Sequence, residues 1–135
     1  MQLLALYGSL RAGEPAFRRL GLAGSLWFLA PCTISGRLYD LGDYPALVAE
    51  DGEVKGDLFK VVNPAVIQEL DAYEGFLPRA PGRSLYQRLA VKLIRPRTTA
   101  WVYLYNLALD RDGLDRAHFI ATGDWKKHRA ARRVR

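Results

Sequence analysis

One cysteine and two histidines are the only thiol and imidazole groups in this 135-residue chain. Cys32 has no partner for an intrachain disulfide, and it falls in an apolar stretch where a thiol is buried and inert. Together with His118 and His128 it falls short of a tetrahedral Cys/His site, so no metal and no structural zinc is expected. No apolar run is long enough to cross a bilayer, which argues against a membrane partner. The start, Met1-Gln2-Leu3-Leu4-Ala5-Leu6-Tyr7, has neither the basic region nor the length of a signal peptide, and a cytoplasmic location is expected. Walker loops and G-x-G-x-x-G strings are absent, which removes the usual nucleotide readings. Ser9 lies outside any G-x-S-x-G elbow, and neither histidine has an evident partner acid, so a Ser-His-Asp triad is not supported.

What is present is an ordinary globular composition, half apolar and a quarter charged, on a length that suits one domain with a sizeable core. The formal net charge of +6 is local. Lys126, Lys127, Arg129, Arg132, Arg133 and Arg135 account for all of it, and residues 1–124 balance 14 basic against 14 acidic side chains. The chain therefore divides into a balanced domain over 1–124 and a basic C-terminal tail over 125–135, readable as a frayed basic helix. Such a tail implies weak polyanion binding or mere solubility, and both readings stay open. No nucleic-acid-reading motif precedes it, so nucleic acid is not an expected partner.

The apolar period is mostly that of strands. Gln2–Tyr7 reads as a strand breaking into a Gly8-Ser9 loop, with a helical turn over Pro15–Leu20. Leu26–Tyr39 is a long apolar stretch; Gly42-Asp43-Tyr44-Pro45 is a turn, with strands expected at Ala46–Ala49 and Lys55–Val62. Leu85–Ile94 and Ala100–Leu107 flank a short connection and predict an antiparallel pair. Residues 76–84 hold two prolines and a glycine and predict a loop, a candidate lid or substrate-selecting segment. A short helix is expected over Asp115–Ala121. The sum is a strand-rich α/β or α+β domain without repeats.

One helix carries the best chemical signal. Asn63 as N-cap, Pro64 at the first helical position and Gly75 just past the end bracket a short helix. Ile67, Leu70 and Glu74 fall at i, i+3 and i+7, so Glu74 projects from the stripe that the aliphatic pair turns toward the core. In the last turn, the unpaired carbonyls oppose a carboxylate by ~0.3–1 kcal/mol, and desolvation raises its pKa further. An inward-facing carboxyl group near neutrality suits a proton shuttle. The competing reading is a helix-end Glu that turns to solvent or pairs with Arg79, Arg83 or Arg88. A second signal is Tyr7-Gly8-Ser9-Leu10, where a Gly and a Ser after a strand let successive backbone N–H groups converge on an anion. Its alternative is a plain turn.

Several short strings, taken in order, resemble the gamma-glutamylcyclotransferase-like family. They are Tyr7-Gly8-Ser9-Leu10; Gly36-Arg37-Leu38-Tyr39-Asp40 leading to Tyr44-Pro45-Ala46-Leu47; Val54-Lys55-Gly56; Leu70-Asp71-Ala72-Tyr73-Glu74-Gly75; Tyr86-Gln87-Arg88; Ala100-Trp101-Val102-Tyr103-Leu104-Tyr105; and Gly123-Asp124-Trp125. Each is weak alone, but their order and spacing cover nearly the whole chain.

The resemblance implies an α+β fold, a small mixed β-barrel flanked by short helices, with a pocket between the Tyr7–Leu10 loop and the acidic residue ending the Leu70–Gly75 string. It further implies conversion of a small gamma-glutamyl amine or peptide to 5-oxoproline and a free amine, without a cofactor. Carried onto this chain, Glu74 is the catalytic general acid/base. Gly8, Ser9 and Leu10 bind the substrate carboxylate or the oxyanion through backbone N–H groups, and Tyr7 and Tyr105 are pocket hydroxyls. Tyr44 and Pro45 shape the wall. A fold of this kind that only binds a small metabolite, or an accessory binding protein, is the alternative.

Overall fold

Alternation in the first strand sets the architecture. Across the computed structural model, which describes residues 2–133, strand β1 (Leu3–Leu6) is buried on both faces. Leu4 and Leu6 enter one apolar cluster, Ala5 and Tyr7 the other. A strand covered on both sides belongs in the middle of a sheet, and β1 lies between β3 (Pro45–Val61) and β5 (Thr99–Tyr105). The six-stranded order is β4-β5-β1-β3-β2-β6, with β2 at Leu26–Asp40, β4 at Tyr86–Lys92 and β6 at His118–Phe119. Among the described residues only the β1–β5 pair is parallel, so the sheet is mixed, and it curls into a half-barrel flanked by short helices. This is the α+β architecture expected of the sequence.

The long β2–β3 hairpin corrects one expectation. Ala46–Ala49 and Lys55–Val62 are parts of a single strand, β3, rather than two. Ser35 pairs with Glu53 and Arg37 with Val48, so Ala49–Gly52 bulge opposite Gly36 and break the alternation that a sequence reading follows. The expected antiparallel pair is β4 and β5, in register from Tyr86↔Tyr105 to Lys92↔Thr99. Asp115–Ala121 is not a helix: α3 ends at Asp115, having begun at Arg111, and His118–Phe119 adds to the edge of β2 opposite Asp40 and Tyr39.

Two helices matter most for the site. Helix α2 (Val66–Glu74) begins later than expected, since Asn63 and Pro64 form a turn in which Asn63 Oδ1 accepts from Ala65 N at 3.1 Å. Val66, Ile67, Leu70 and Asp71 are its buried face. At its end Gly75 adopts φ 73°, a left-handed conformation that favours glycine. Gly75 N donates to Ala72 O at 3.2 Å and Phe76 N to Asp71 O at 2.8 Å, the bond pair of a Schellman end. Helix α4 (Trp125–Arg133) occupies the described part of the basic segment, and its first residue, Trp125, is 3% exposed within the second apolar cluster. Helix α1 spans Pro15–Arg19. Among the described residues no helix is long and apolar enough to cross a membrane.

Candidate functional site

The end of β1, the β2–β3 turn, the end of α2 and the β4–β5 pair enclose a cavity of about 370 Å³. That volume is in the range of small-ligand pockets. Tyr7, Gly8, Ser9 and Leu10 line it together with Tyr44, Pro45, Tyr73, Glu74, Tyr86 and Tyr103. The two signals singled out in the sequence therefore meet in one cavity.

Glu74 is set apart from Asp71, the buried carboxylate of its helix. Asp71, one turn earlier, is buried and takes Arg88 Nε at 2.8 Å, Arg88 Nη2 at 3.2 Å and the Tyr103 hydroxyl at 2.7 Å. The Arg88 guanidinium also lies over the Trp101 ring, 4.5 Å from its centroid. Among the described residues the Glu74 carboxyl group has neither an ion pair nor a hydrogen bond, although Arg79, Arg83 and Arg88 follow it in sequence. Among the described residues no buried side-chain oxygen lacks a partner, so the Glu74 oxygens open onto the cavity rather than being sealed beneath it. Burial without a countercharge pushes its carboxyl up to about 7.

Three of the tyrosines around it, Tyr7, Tyr86 and Tyr103, keep their protons and direct them into the protein. Tyr7 donates to Tyr103 O at 2.6 Å, Tyr86 to Pro45 O at 2.6 Å and Tyr103 to Asp71 Oδ1. Burial, then the Glu74 charge, raises the Tyr7 phenol well above its ordinary value, and burial chiefly raises Tyr86 and Tyr103 as well. Each phenol has one proton, so none of the three has another to donate to a ligand. Tyr7 is a pocket residue as expected, but not a hydroxyl donor into the pocket.

Donors are left in the loop after β1. Among the described residues the N–H groups of Gly8, Ser9 and Leu10 find no acceptor, whereas Arg11 N and Ala12 N bond Gly8 O at 3.2 Å and Asp57 Oδ2 at 3.0 Å. Consecutive unsatisfied N–H groups beside a cavity suit a carboxylate or oxyanion. Ser9 Oγ lies 3.4 Å from the Tyr73 hydroxyl, linking this loop to the residue before Glu74. Gly8 is needed for close packing: a Cβ there would come 3.0 Å from Pro45 Cγ.

Tyr44 and Pro45 form the expected wall, with the Tyr44 ring edge-on to Tyr86 at 6.3 Å. Tyr105, expected as a pocket hydroxyl, does not line the cavity. Its hydroxyl donates to Asp110 Oδ2 at 2.7 Å, past the end of β5, and its ring supports Tyr86 at 5.6 Å. Residues 76–84 do not line the cavity either, which stops at Gly75 and resumes at Leu85. Ser84 Oγ folds that loop on itself, accepting from Leu77 N at 2.7 Å and donating to Ala80 O at 3.1 Å. Tyr73, Tyr86 and Tyr103 were missed as lining residues; aromatic spacing in the strand hinted at Tyr103 but could not separate it from Tyr105. His128, read as lacking a partner acid, meets Asp40 Oδ2 at 2.7 Å.

The family model described as gamma-glutamyl cyclotransferase, AIG2-like, matches residues 4–127. A curated relative, the gamma-glutamylcyclotransferase family protein YtfP of Escherichia coli K12, is 35% identical over 89 residues, 66% of this chain and 66% of the relative's own length. The solution structure of ytfP from Escherichia coli superposes with a TM-score of 0.64 at 28% identity, covering 92% of this chain and 96% of that one. An aig2-like protein from Mus musculus superposes with a TM-score of 0.68 at 20% identity, over 90% of this chain and 86% of that one, a likeness of fold.

Proposed function

The chain belongs to the gamma-glutamyl cyclotransferase, AIG2-like family, and on that premise we propose that it converts a small gamma-glutamyl amine or peptide to 5-oxoproline and a free amine. The observation that carries the reading is the pairing, in one cavity, of an unpaired Glu74 near neutrality with the three unsatisfied N–H groups of Gly8–Leu10.

The substrate binds through its α-carboxylate or its γ-carbonyl oxygen at those N–H groups. Glu74, as carboxylate, removes a proton from the α-ammonium group. The freed amine attacks the substrate's own γ-carbonyl carbon, forming the ring C–N bond and placing negative charge on the carbonyl oxygen. Collapse of the tetrahedral centre breaks the bond to the leaving nitrogen, which takes that proton from Glu74; the regenerated carboxylate then accepts the second proton, shed by the attacking nitrogen as it becomes the ring N–H, and passes it to the released amine. In sum, two protons leave the α-nitrogen and two arrive on the released amine, so no water or cofactor is consumed.

Physical chemistry supports this division of labour. The reaction is intramolecular, so holding the amine against the carbonyl supplies much of the acceleration. A base near pKa 7 is half ionised at neutral pH and becomes a competent acid once protonated. Fixed backbone donors suit charge that appears only in the transition state. The direct test is to incubate the purified protein with a panel of gamma-glutamyl amines and peptides and to measure 5-oxoproline. Binding of these compounds without any 5-oxoproline would favour a metabolite-binding protein on the same fold.

A further inference from the structure

Both walls of the cavity are tied to the same helix. Asp124 caps α4, accepting from Lys127 N at 3.1 Å, and the same Oδ1 accepts from Arg11 Nη1 at 3.2 Å. Arg11 is 12% exposed and forks onto Asp57, with Nε and Nη2 each 3.3 Å from a carboxylate oxygen. Lys126 reaches from α4 to Ala12 O at 2.8 Å. These contacts hold the residues that immediately follow the Gly8–Leu10 donors. One turn further along, His128 Nε2 meets Asp40 Oδ2 at 2.7 Å, and Asp40 Oδ1 accepts from Gly42 N at 2.7 Å. Arg129 Nη1 donates to Gly42 O at 3.3 Å. Asp40 pairs with Pro45 across the β2–β3 hairpin, and Leu41 N bonds Tyr44 O at 3.0 Å, so this second anchor ends on the Tyr44–Pro45 wall.

The helix is also anchored by an apolar side chain. Trp125 is buried in the second apolar cluster, and Trp125, His128 and Arg129 fall at i, i+3 and i+4 on one face. With the helix pinned by that side chain, its two sets of polar contacts fix the spacing between the donor loop and the aromatic wall.

We propose that α4 is a positioning element for the candidate site, with Arg11, Lys126 and His128 as positioning residues that set the distance between the Gly8–Leu10 donors and the Tyr44–Pro45 wall. The kinetic part of this inference rests on the cyclotransferase reading; the structural coupling does not. Misplacement of reacting groups by a fraction of an ångström to an ångström costs up to ~10²-fold in rate. Lys126 donates to a backbone carbonyl, and His128→Gln keeps an N–H donor for the buried Asp40 carboxylate, so neither replacement strands a buried charge.

The test uses the full chain with Lys126→Met, His128→Gln and the double variant, and Lys126→Arg as the conservative comparison. Two readouts are taken on each: kcat and KM with a gamma-glutamyl amine that the parent turns over, and backbone amide NMR shifts of the free protein. The expected result is a loss of ~10-fold or more in kcat/KM for the double variant, with KM raised and the melting temperature close to the parent's, and recovery toward parent values in Lys126→Arg. In the free protein, Lys126→Met is expected to move amides at Gly42–Tyr44 as well as at Gly8–Ala12, and His128→Gln the reverse. Shifts confined to the wall nearest each substitution, or parent kinetics in the double variant, would overturn the proposal. A parent that makes no 5-oxoproline would sink the cyclotransferase reading alone, because the amide shifts still judge the coupling of the walls.

Discussion

Arg88 takes both oxygens of Asp71, at 2.8 and 3.2 Å, and in doing so leaves Glu74, the acid of α2 that borders the cavity, without a countercharge. The two acids lie three residues apart on one short helix and have opposite circumstances. Asp71 is a buried, fully paired group joining α2 to β4 and β5 through Arg88 and Tyr103. Glu74 borders the cavity with its proton affinity raised by desolvation. The competing account of Glu74 as a helix-end acid paired with an arginine is met by Asp71 instead.

Replacing Arg88 with Met therefore strands the Asp71 carboxylate in a site built for an ion pair. Removing one partner of a buried pair costs ~3–5 kcal/mol. Chemical denaturation should show a loss of that order for Arg88→Met, with a large part recovered by the double variant Asp71→Asn with Arg88→Met. A single variant as stable as the parent would show that the pair contributes nothing net.

Gly8→Val is expected to act through Pro45. A Cβ at Gly8 meets the proline ring at 3.0 Å, tighter than ordinary packing, and both residues line the cavity. The added side chain must push the Tyr44–Pro45 wall or shift the donor loop. Overpacking of this kind costs ~1–3 kcal/mol, and affinity for a gamma-glutamyl ligand should fall with it. Calorimetric titration beside thermal unfolding checks both; unchanged affinity with lowered stability would leave Gly8 as a plain turn residue.

Much of the scaffold was legible because local chemistry and tertiary structure agree. Ile67, Leu70 and Gly75 mark the buried stripe and the stop of α2, and so the place of Glu74. The strand-loop transition at Tyr7-Gly8 was equally local. What escaped depends on partners distant in sequence. Asp71 and Arg88 are 17 residues apart, Asp40 and His128 are 88 apart, and no periodicity joins them. Tyr103 and Tyr105 alternate onto the same side of β5, so spacing could not say which borders the cavity. Asp110, in the following loop, draws the Tyr105 hydroxyl away. The bulge at Ala49–Gly52 split β3 in the sequence pattern for a similar reason, since four residues there face one partner position.

The pH–rate profile should carry the signature of Glu74. Its carboxylate must be ionised to accept the first proton, and burial pushes its carboxyl up to about 7. The kcat/KM of the free enzyme is thus expected to rise with pH through a midpoint near that value rather than near the usual carboxylate range. A profile flat from pH 5 to 8, buffers and ionic strength being matched, would assign the proton transfer elsewhere.

Glu74→Gln separates chemistry from binding and stability in one variant. The amide keeps the size of the side chain but cannot take and return a proton, so turnover should fall ~10²–10⁴-fold or more. Affinity should change far less, because the Gly8–Leu10 donors are untouched. Stability should respond in the opposite direction. With a folded-state pKa of about 7 against a reference of 4.5, the folded state holds the proton more tightly. The parent's advantage is then full below pH ~4.5 and declines as pH climbs through ~7, a loss on the order of 1–3 kcal/mol after allowance for the group's partial access to water. Gln carries no such penalty, so the variant should match or exceed the parent in denaturant midpoint at pH 7.5 and lose that edge at pH 4. A Gln variant that makes 5-oxoproline at the parent rate would end the proposed mechanism. One that unfolds at neutral pH would mark Glu74 as a structural carboxylate.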